Sequence, residues 1–176
     1  MSTYRHQLLN VLILGAVLTA LSFLGLSDVA QADVSFVPQG TNYSLHCTST
    51  NTPANFSKLV HRAARKYDID ARMLAVTVYR ESGCDPTLTG TVGDAGLGQI
   101  VPKIWLRTLI KNGLVSNKQD LYDPAKNLNS TAWILSRLSA KYPHSKHLVF
   151  KHYNGSGKRA RQYGLEQLAV YQRLWL

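Results

Sequence analysis

Apolar residues recur at helical spacing through most of the chain from residue 53 onward. Phe56, Leu59, Val60, Ala63, Ala64 and Tyr67 fall at intervals of three and four, with Thr52-Pro53 ahead of them as a helix start. Asp70 is a good N-cap for a second helix that carries Met73, Leu74, Val78 and Glu81 and ends at Gly83. Val101-Pro102 opens a third, with Ile104, Trp105, Thr108 and Leu109 and a stop at Gly113. Asp123-Pro124 opens a fourth, with Leu128, Ala132, Leu135 and Leu138, ending near Pro143. A short fifth runs from about Ser145 to Tyr153, ahead of Asn154-Gly155, and a sixth from about Tyr163 to Trp175. No stretch alternates convincingly as a strand would, and no segment repeats. The pattern predicts one mainly α domain over residues 53–176.

The segment before that domain reads differently. Residues 8–26 are apolar apart from Asn10, Gly15, Thr19, Ser22 and Gly25; Arg5 precedes them and Ala30-Gln31-Ala32 follows as a signal-peptidase pattern. A cleaved signal peptide over residues 1–32 is expected, with an uncleaved membrane anchor as the alternative, because the apolar run approaches spanning length. Residues 33–52 are rich in Ser, Thr, Asn and Gly and predict an irregular N-terminal arm. The expected location is the periplasm or cell envelope, or the extracellular space where no outer membrane exists.

Export changes the meaning of charge and cysteine. The formal net charge is +10, and residues 1–32 contribute one Arg and one Asp, so the mature chain keeps it. Such basicity suits nucleic acid, an anionic cell surface or an acidic polymer, and export counts against nucleic acid. Most of the charge is dispersed, as on a solvated face, and only Lys158-Arg159-Ala160-Arg161 is dense. An exported chain can hold a disulfide, and Cys47 and Cys84 are expected to form one rather than remain as two buried thiols.

Candidate chemistry centres on Glu81, one of only two glutamates; the other is Glu166. Glu81 shares a helix face with Leu74, Thr77 and Val78, so desolvation should raise its pKa, and the negative end of the helix acts in the same direction. Those are the conditions of a general acid. The alternative is a solvated glutamate at a frayed helix end. Five glycines follow, at 83, 90, 93, 96 and 98, in a loop where backbone can approach a ligand closely. Gln99, between Gly98 and Ile100, has an amide suited to a sugar hydroxyl or N-acetyl group. The dinucleotide fingerprint, phosphate-loop lysine, H-E-x-x-H and C-x-x-C are absent, and His46, His61, His144, His147 and His152 lack ligand spacing. Neither cofactor nor metal is expected.

Four short motifs stand in order: Glu81-Ser82, the GLGQI of residues 96–100 with Pro102, the DPAKNL of residues 123–128, and Tyr153-Asn154-Gly155. Together they resemble the catalytic domains of lytic transglycosylases over roughly residues 54–155, with weaker similarity in the last helix. The resemblance implies a lysozyme-like helical domain acting on peptidoglycan glycan strands, with Glu81 as acid/base. Ser82, Gly96, Gln99, Tyr153 and Asn154 would line or shape its cleft. This sequence departs from the family at three places. Gly98 replaces a bulky apolar residue, often Met, which would leave more room in the cleft wall. Thr131 replaces a glycine, and Lys151-His152 replace small residues.

Most glycosidases use two carboxylates, about 5–5.5 Å apart for retention and farther apart for inversion. The motifs supply one. The resemblance implies that the substrate supplies the nucleophile: Glu81 protonates the bond leaving N-acetylmuramic acid, then deprotonates the sugar's own C6 hydroxyl, giving a 1,6-anhydro end. A hydrolase similar to goose-type lysozymes, with Asp94 or Asp85 positioning water, is the alternative enzyme. A non-catalytic wall-binding or assembly protein is the alternative of another class. The sequence is compatible with wall turnover or with service to a secretion, conjugation or phage apparatus, and it fixes no oligomeric state.

Overall fold

The computed structural model describes residues 35–36 and 45–174, and the expected signal segment lies outside them. Two two-residue strands, β1 (Ser35–Phe36) and β2 (Leu45–His46), pair antiparallel with Ser35 opposite His46. They fall in the arm read as irregular, and two residues are too few to show alternation. Six α-helices follow: α1 (Phe56–Lys66), α2 (Ala71–Ser82), α3 (Pro102–Lys111), α4 (Pro124–Lys141), α5 (Lys146–Asn154) and α6 (Gly157–Arg173). A 3₁₀ turn, Lys118–Tyr122, precedes α4. No helix among the described residues is long and apolar enough to cross a membrane.

The helix starts follow local chemistry. The side chains of Asp70, Asp123 and Ser145 accept from Arg72 N, Lys126 N and Leu148 N, while Pro102 and Pro124 occupy first turns where a missing N–H costs nothing. One boundary differs substantially from the sequence reading. Helix α6 begins at Gly157, six residues before Tyr163, because its first turns are basic and bury only Ala160. Apolar periodicity cannot register a helix whose first turns lie in solvent.

Two apolar clusters organise the interior. The larger joins Phe56, Val60, Leu74, Val78, Leu97, Leu128, Leu135 and Phe150. The smaller joins Ala95, Ile100, Leu109, Val115, Leu121 and Ile134. Helix α4 feeds both, and the loop after α2 gives Leu97 to one and Ala95 and Ile100 to the other. Tyr153 packs against both. The glycine-rich loop therefore lies over the join between two cores.

Tyrosines tie α2 to α6 at both ends. Tyr171 donates to Asp70 Oδ2 at 2.6 Å, and Tyr163 donates to Glu81 Oε1 at 2.6 Å. Burial acts to raise the Asp70 pKa, but bonds from Arg72 and Tyr171 outweigh it and hold that carboxyl below its ordinary value.

Candidate active site

The end of α2 is fixed from three sides. Gly83 terminates it in the left-handed region at φ +61°, donating to Tyr79 O. A Cβ there would strike Thr48 Oγ1 as well as strain the backbone. The Gly83 carbonyl accepts from Thr48 N at 3.2 Å and Ser49 N at 3.1 Å. Cys84 follows at φ +70° and is bonded to Cys47, with the Cα atoms 5.5 Å apart. Ser82 donates to Leu97 O at 2.7 Å and lies 3.2 Å from Val78 O. The hydroxyl therefore ties helix to loop; Ser82 shapes the site from behind.

Glu81, thus held, is partly buried. Burial raises its pKa from 4.5 to about 7, and the charge of Asp94 acts in the same direction. The bond from Tyr163 and the charge of Arg80 pull the other way. Tyr163 is buried beside a potential anion, and both effects push its own pKa up, so it remains a donor. Arg80 is engaged outward by Glu166 at 3.0 Å, an exposed pair of little energetic consequence.

The loop folds on itself as a small set of backbone bonds. Ala95 and Ile100 exchange N–H···O bonds of 3.0 and 3.1 Å, and Gln99 N reaches Gly96 O at 3.0 Å. Gly96 stands at φ +67°, and a Cβ there would strike Leu121 O and the Asn127 amide. Gln99, itself at φ +45°, spends both amide hydrogens on the loop, donating to Leu88 O at 3.0 Å and Gly96 O at 2.9 Å. A Cβ added at Gly90 would lie 2.7 Å from Gln99 Oε1. The amide predicted to meet a sugar thus braces the loop through its nitrogen.

Sequence reasoning missed two residues here. Asn127 is buried completely and is the hub of the loop: its Nδ2 donates to Ala95 O at 2.9 Å and Leu121 O at 2.6 Å, while its Oδ1 accepts from Gly98 N at 2.8 Å. Its place inside the DPAKNL motif was the only signal the sequence offered. The other is Tyr163, whose spacing of eight from Tyr171 puts both on one helix face.

The remaining candidates separate. Tyr153 donates to Gly98 O at 2.7 Å, on the loop and not to Glu81. Asn154, last in α5, is exposed. Asp85 accepts from Ser49 Oγ, Asn51 Nδ2, Thr87 N and Thr87 Oγ1 at 2.7–3.0 Å. Desolvation opposes its ionisation, but those bonds together outweigh it and hold its pKa below the ordinary value. Asp85 is therefore a clasp between arm and loop. Asp94 keeps a buried Oδ1 that has no hydrogen-bond partner. His152 stacks on Tyr142 with ring centroids 4.7 Å apart. Among the described residues no group of three His, Cys, Asp or Glu side chains is placed to hold a metal ion.

One change tests the Glu81–Tyr163 bond. Tyr163→Phe keeps the ring and removes a donor that lowers the Glu81 pKa. A loss of about tenfold in kcat is expected, from one hydrogen bond to a charged group, with the alkaline limb of the pH profile moved upward. An unmoved limb would show that the bond does not govern Glu81.

Comparison with known proteins places this helical scaffold in a family. The Transglycosylase SLT domain family matches residues 58–173, more than half of the chain, and the chain belongs to that family. Among solved structures it is similar to an inactive mutant of the lytic transglycosylase Slt from Pseudomonas aeruginosa, at a TM-score of 0.60 and 18% identity. The match covers 66% of this chain and 23% of that one, so the chain spans under a quarter of its neighbour's length. Comparison with curated proteins gives no match. The fold is the lysozyme-like, mainly helical fold of SLT domains.

Proposed function

We propose that the protein is an exported lytic transglycosylase, cleaving the β-1,4 bond between N-acetylmuramic acid and N-acetylglucosamine in peptidoglycan. The observation that carries this reading is the state of Glu81: a carboxyl with pKa about 7, hydrogen-bonded by Tyr163, on an SLT scaffold. A general acid works best with a pKa near the operating pH. The solved neighbour, an inactive mutant of Slt, carries glutamine in place of a glutamate, which is in keeping with a chemistry that depends on one carboxyl.

Protonated Glu81 gives its proton to the glycosidic oxygen as the C1–O bond breaks, and the 2-acetamido carbonyl supports the cation forming at C1. Glu81, now a carboxylate, takes the proton of the C6 hydroxyl as that oxygen bonds to C1. The proton is returned, no water is consumed, and the product carries a 1,6-anhydro ring. Mass spectrometry of digested peptidoglycan decides: anhydro ends support the reading, reducing ends support hydrolysis, and intact strands support a wall-binding protein.

The unpaired Oδ1 of Asp94 gives the hydrolase reading its one specific support, since a carboxylate oxygen without a donor can orient a water. Asp85, spent on the arm, offers none. Under transglycosylation, Asp94→Asn should keep most activity. Because the Asp94 charge raises the Glu81 pKa, its removal should also shift the alkaline limb of the profile downward. Loss of activity as severe as that from changing Glu81, with reducing-end products, would establish hydrolysis instead.

A further inference from the structure

Gly98 is glycine for reasons of space. Its backbone is outside the left-handed region that Gly96 occupies two residues earlier, so its conformation admits a side chain. Its surroundings do not. A Cβ at Gly98 would strike Thr131 Oγ1, meet Thr131 Cβ at 3.1 Å and meet the Tyr153 phenol oxygen at 2.9 Å. The room that the sequence suggested in the wall at Gly98 is filled, from α4, by a fully buried threonine. Two departures from the family pattern, at positions 98 and 131, are in contact.

The threonine does more than fill. Its hydroxyl lies 3.3 Å from Asn127 Oδ1, the atom that accepts from Gly98 N, and together with the Tyr153 phenol it borders the space where a Gly98 Cβ would stand. That phenol donates to Gly98 O at 2.7 Å. Loop backbone, α4 and α5 meet at this point, near enough to Glu81 for its charge to oppose ionisation of Tyr153.

We infer that Thr131 is a positioning residue of the site: it occupies from α4 the space a side chain at position 98 would occupy from the loop, and its hydroxyl, through the Asn127 amide, holds Gly98 where its carbonyl meets the Tyr153 phenol. Gly98 and Thr131 are two halves of one packing unit. The methyl supplies volume and the hydroxyl supplies the bond to Asn127. The catalytic consequence rests on the proposed role of Glu81, while the packing pair and the placement of Tyr153 do not.

The test uses the variants Gly98→Ala, Thr131→Ala, Thr131→Ser, Thr131→Val and the double change Gly98→Ala/Thr131→Ala. Alone, Gly98→Ala overpacks the join and should lower Tm by about 5 °C. Made on top of Thr131→Ala it should lower Tm much less, because the atom it would strike hardest is gone and the Tyr153 phenol need give way only slightly. Additive losses would overturn the pairing, since independent sites add. For placement, the ring resonances of Tyr153 should shift in Thr131→Val, which fills without bonding, and return to wild-type positions in Thr131→Ser. Unshifted resonances in Thr131→Val would reduce Thr131 to a filler. In cleavage assays the valine variant should lose about tenfold in kcat at little change in KM, as a slightly misplaced neighbour of the reacting group would cause; the serine variant should not. Wild-type activity in the valine variant would overturn the link to Glu81. A wild-type protein that leaves glycan intact would count against the proposed function, while unfolding and resonance measurements would still decide the inference.

Discussion

Glu81→Gln is expected to abolish cleavage of peptidoglycan while making the folded protein more stable above neutral pH. Glutamine keeps the shape and still accepts the Tyr163 bond, but it has no proton to deliver, and general acid–base catalysis contributes about 10²–10⁴ in rate. The stability effect follows from the same burial. The Glu81 pKa is raised from 4.5 to about 7 in the folded state, so its contribution is full below pH 4.5 and is lost as pH rises through about 7. Above that range the fold carries a partly buried carboxylate at a cost of up to about 3–4 kcal/mol, less whatever solvent screens, taking each pKa unit as about 1.4 kcal/mol. The variant escapes this cost. Its Tm should match wild type at pH 4 and exceed it at pH 9. Activity within a few-fold of wild type would remove Glu81 from the mechanism; equal Tm values at pH 9 would show that the carboxylate is not desolvated. Glu166→Gln serves as the control. Among the described residues that glutamate bonds the exposed Arg80 and Gln162 side chains, and its loss should change activity little.

Opening the Cys47–Cys84 bridge is expected to produce the second large effect, on stability more than on rate. The bridge spans 37 positions of sequence. Chain-entropy reasoning gives a loop of that size about 3–4 kcal/mol of stabilisation. Residues 45–52 need it, because of their side chains only that of Leu45 is buried. Reduction also frees Cys84, three residues beyond Glu81. The bonds from Thr48 N and Ser49 N to Gly83 O, from Ser82 to Leu97 and from Tyr163 to Glu81 remain, so activity at low temperature should fall less than Tm does. Thermal unfolding with and without reductant measures the first effect. Alkylation of unreduced, denatured protein checks the premise: labelling of both cysteines in most molecules would rule the bridge out.

The helices were legible because most bury a stripe of apolar residues and begin at side chains that cap them. Asp70, Asp123 and Ser145 announce α2, α4 and α5, and their bonds are local. The site was legible only in part, because its bonds are not local. Glu81 could be found from its helix face and from the glycines that follow. The partner of its carboxyl lies 82 positions away, on a helix whose beginning the pattern conceals. Asn127 reads in sequence as one more polar residue in the first turns of α4; only the fold shows three peptide groups converging on it. Gln99 taught the opposite lesson. Its type suits a sugar, and its place in a tight turn commits both amide hydrogens to the loop instead. Gly98 and Thr131 each read as an isolated departure, and distance in sequence hid that they fill one space.

The bond from Tyr163 gives the carboxyl of Glu81 a handedness. Oε1 accepts the phenol hydrogen at 2.6 Å, so in the acid form the transferable proton resides on Oε2. The two oxygens are thereby unequal before any sugar arrives. A strand presenting its glycosidic oxygen to Oε2 meets an acid; one presenting it to Oε1 meets an acceptor already occupied. In the proposed reaction the same Oε2 must receive the C6 proton, since Oε1 remains committed to the phenol. Leaving oxygen and attacking oxygen would then pass the same atom in turn, and the sugar ring, not the carboxyl, would have to reorient between the two steps.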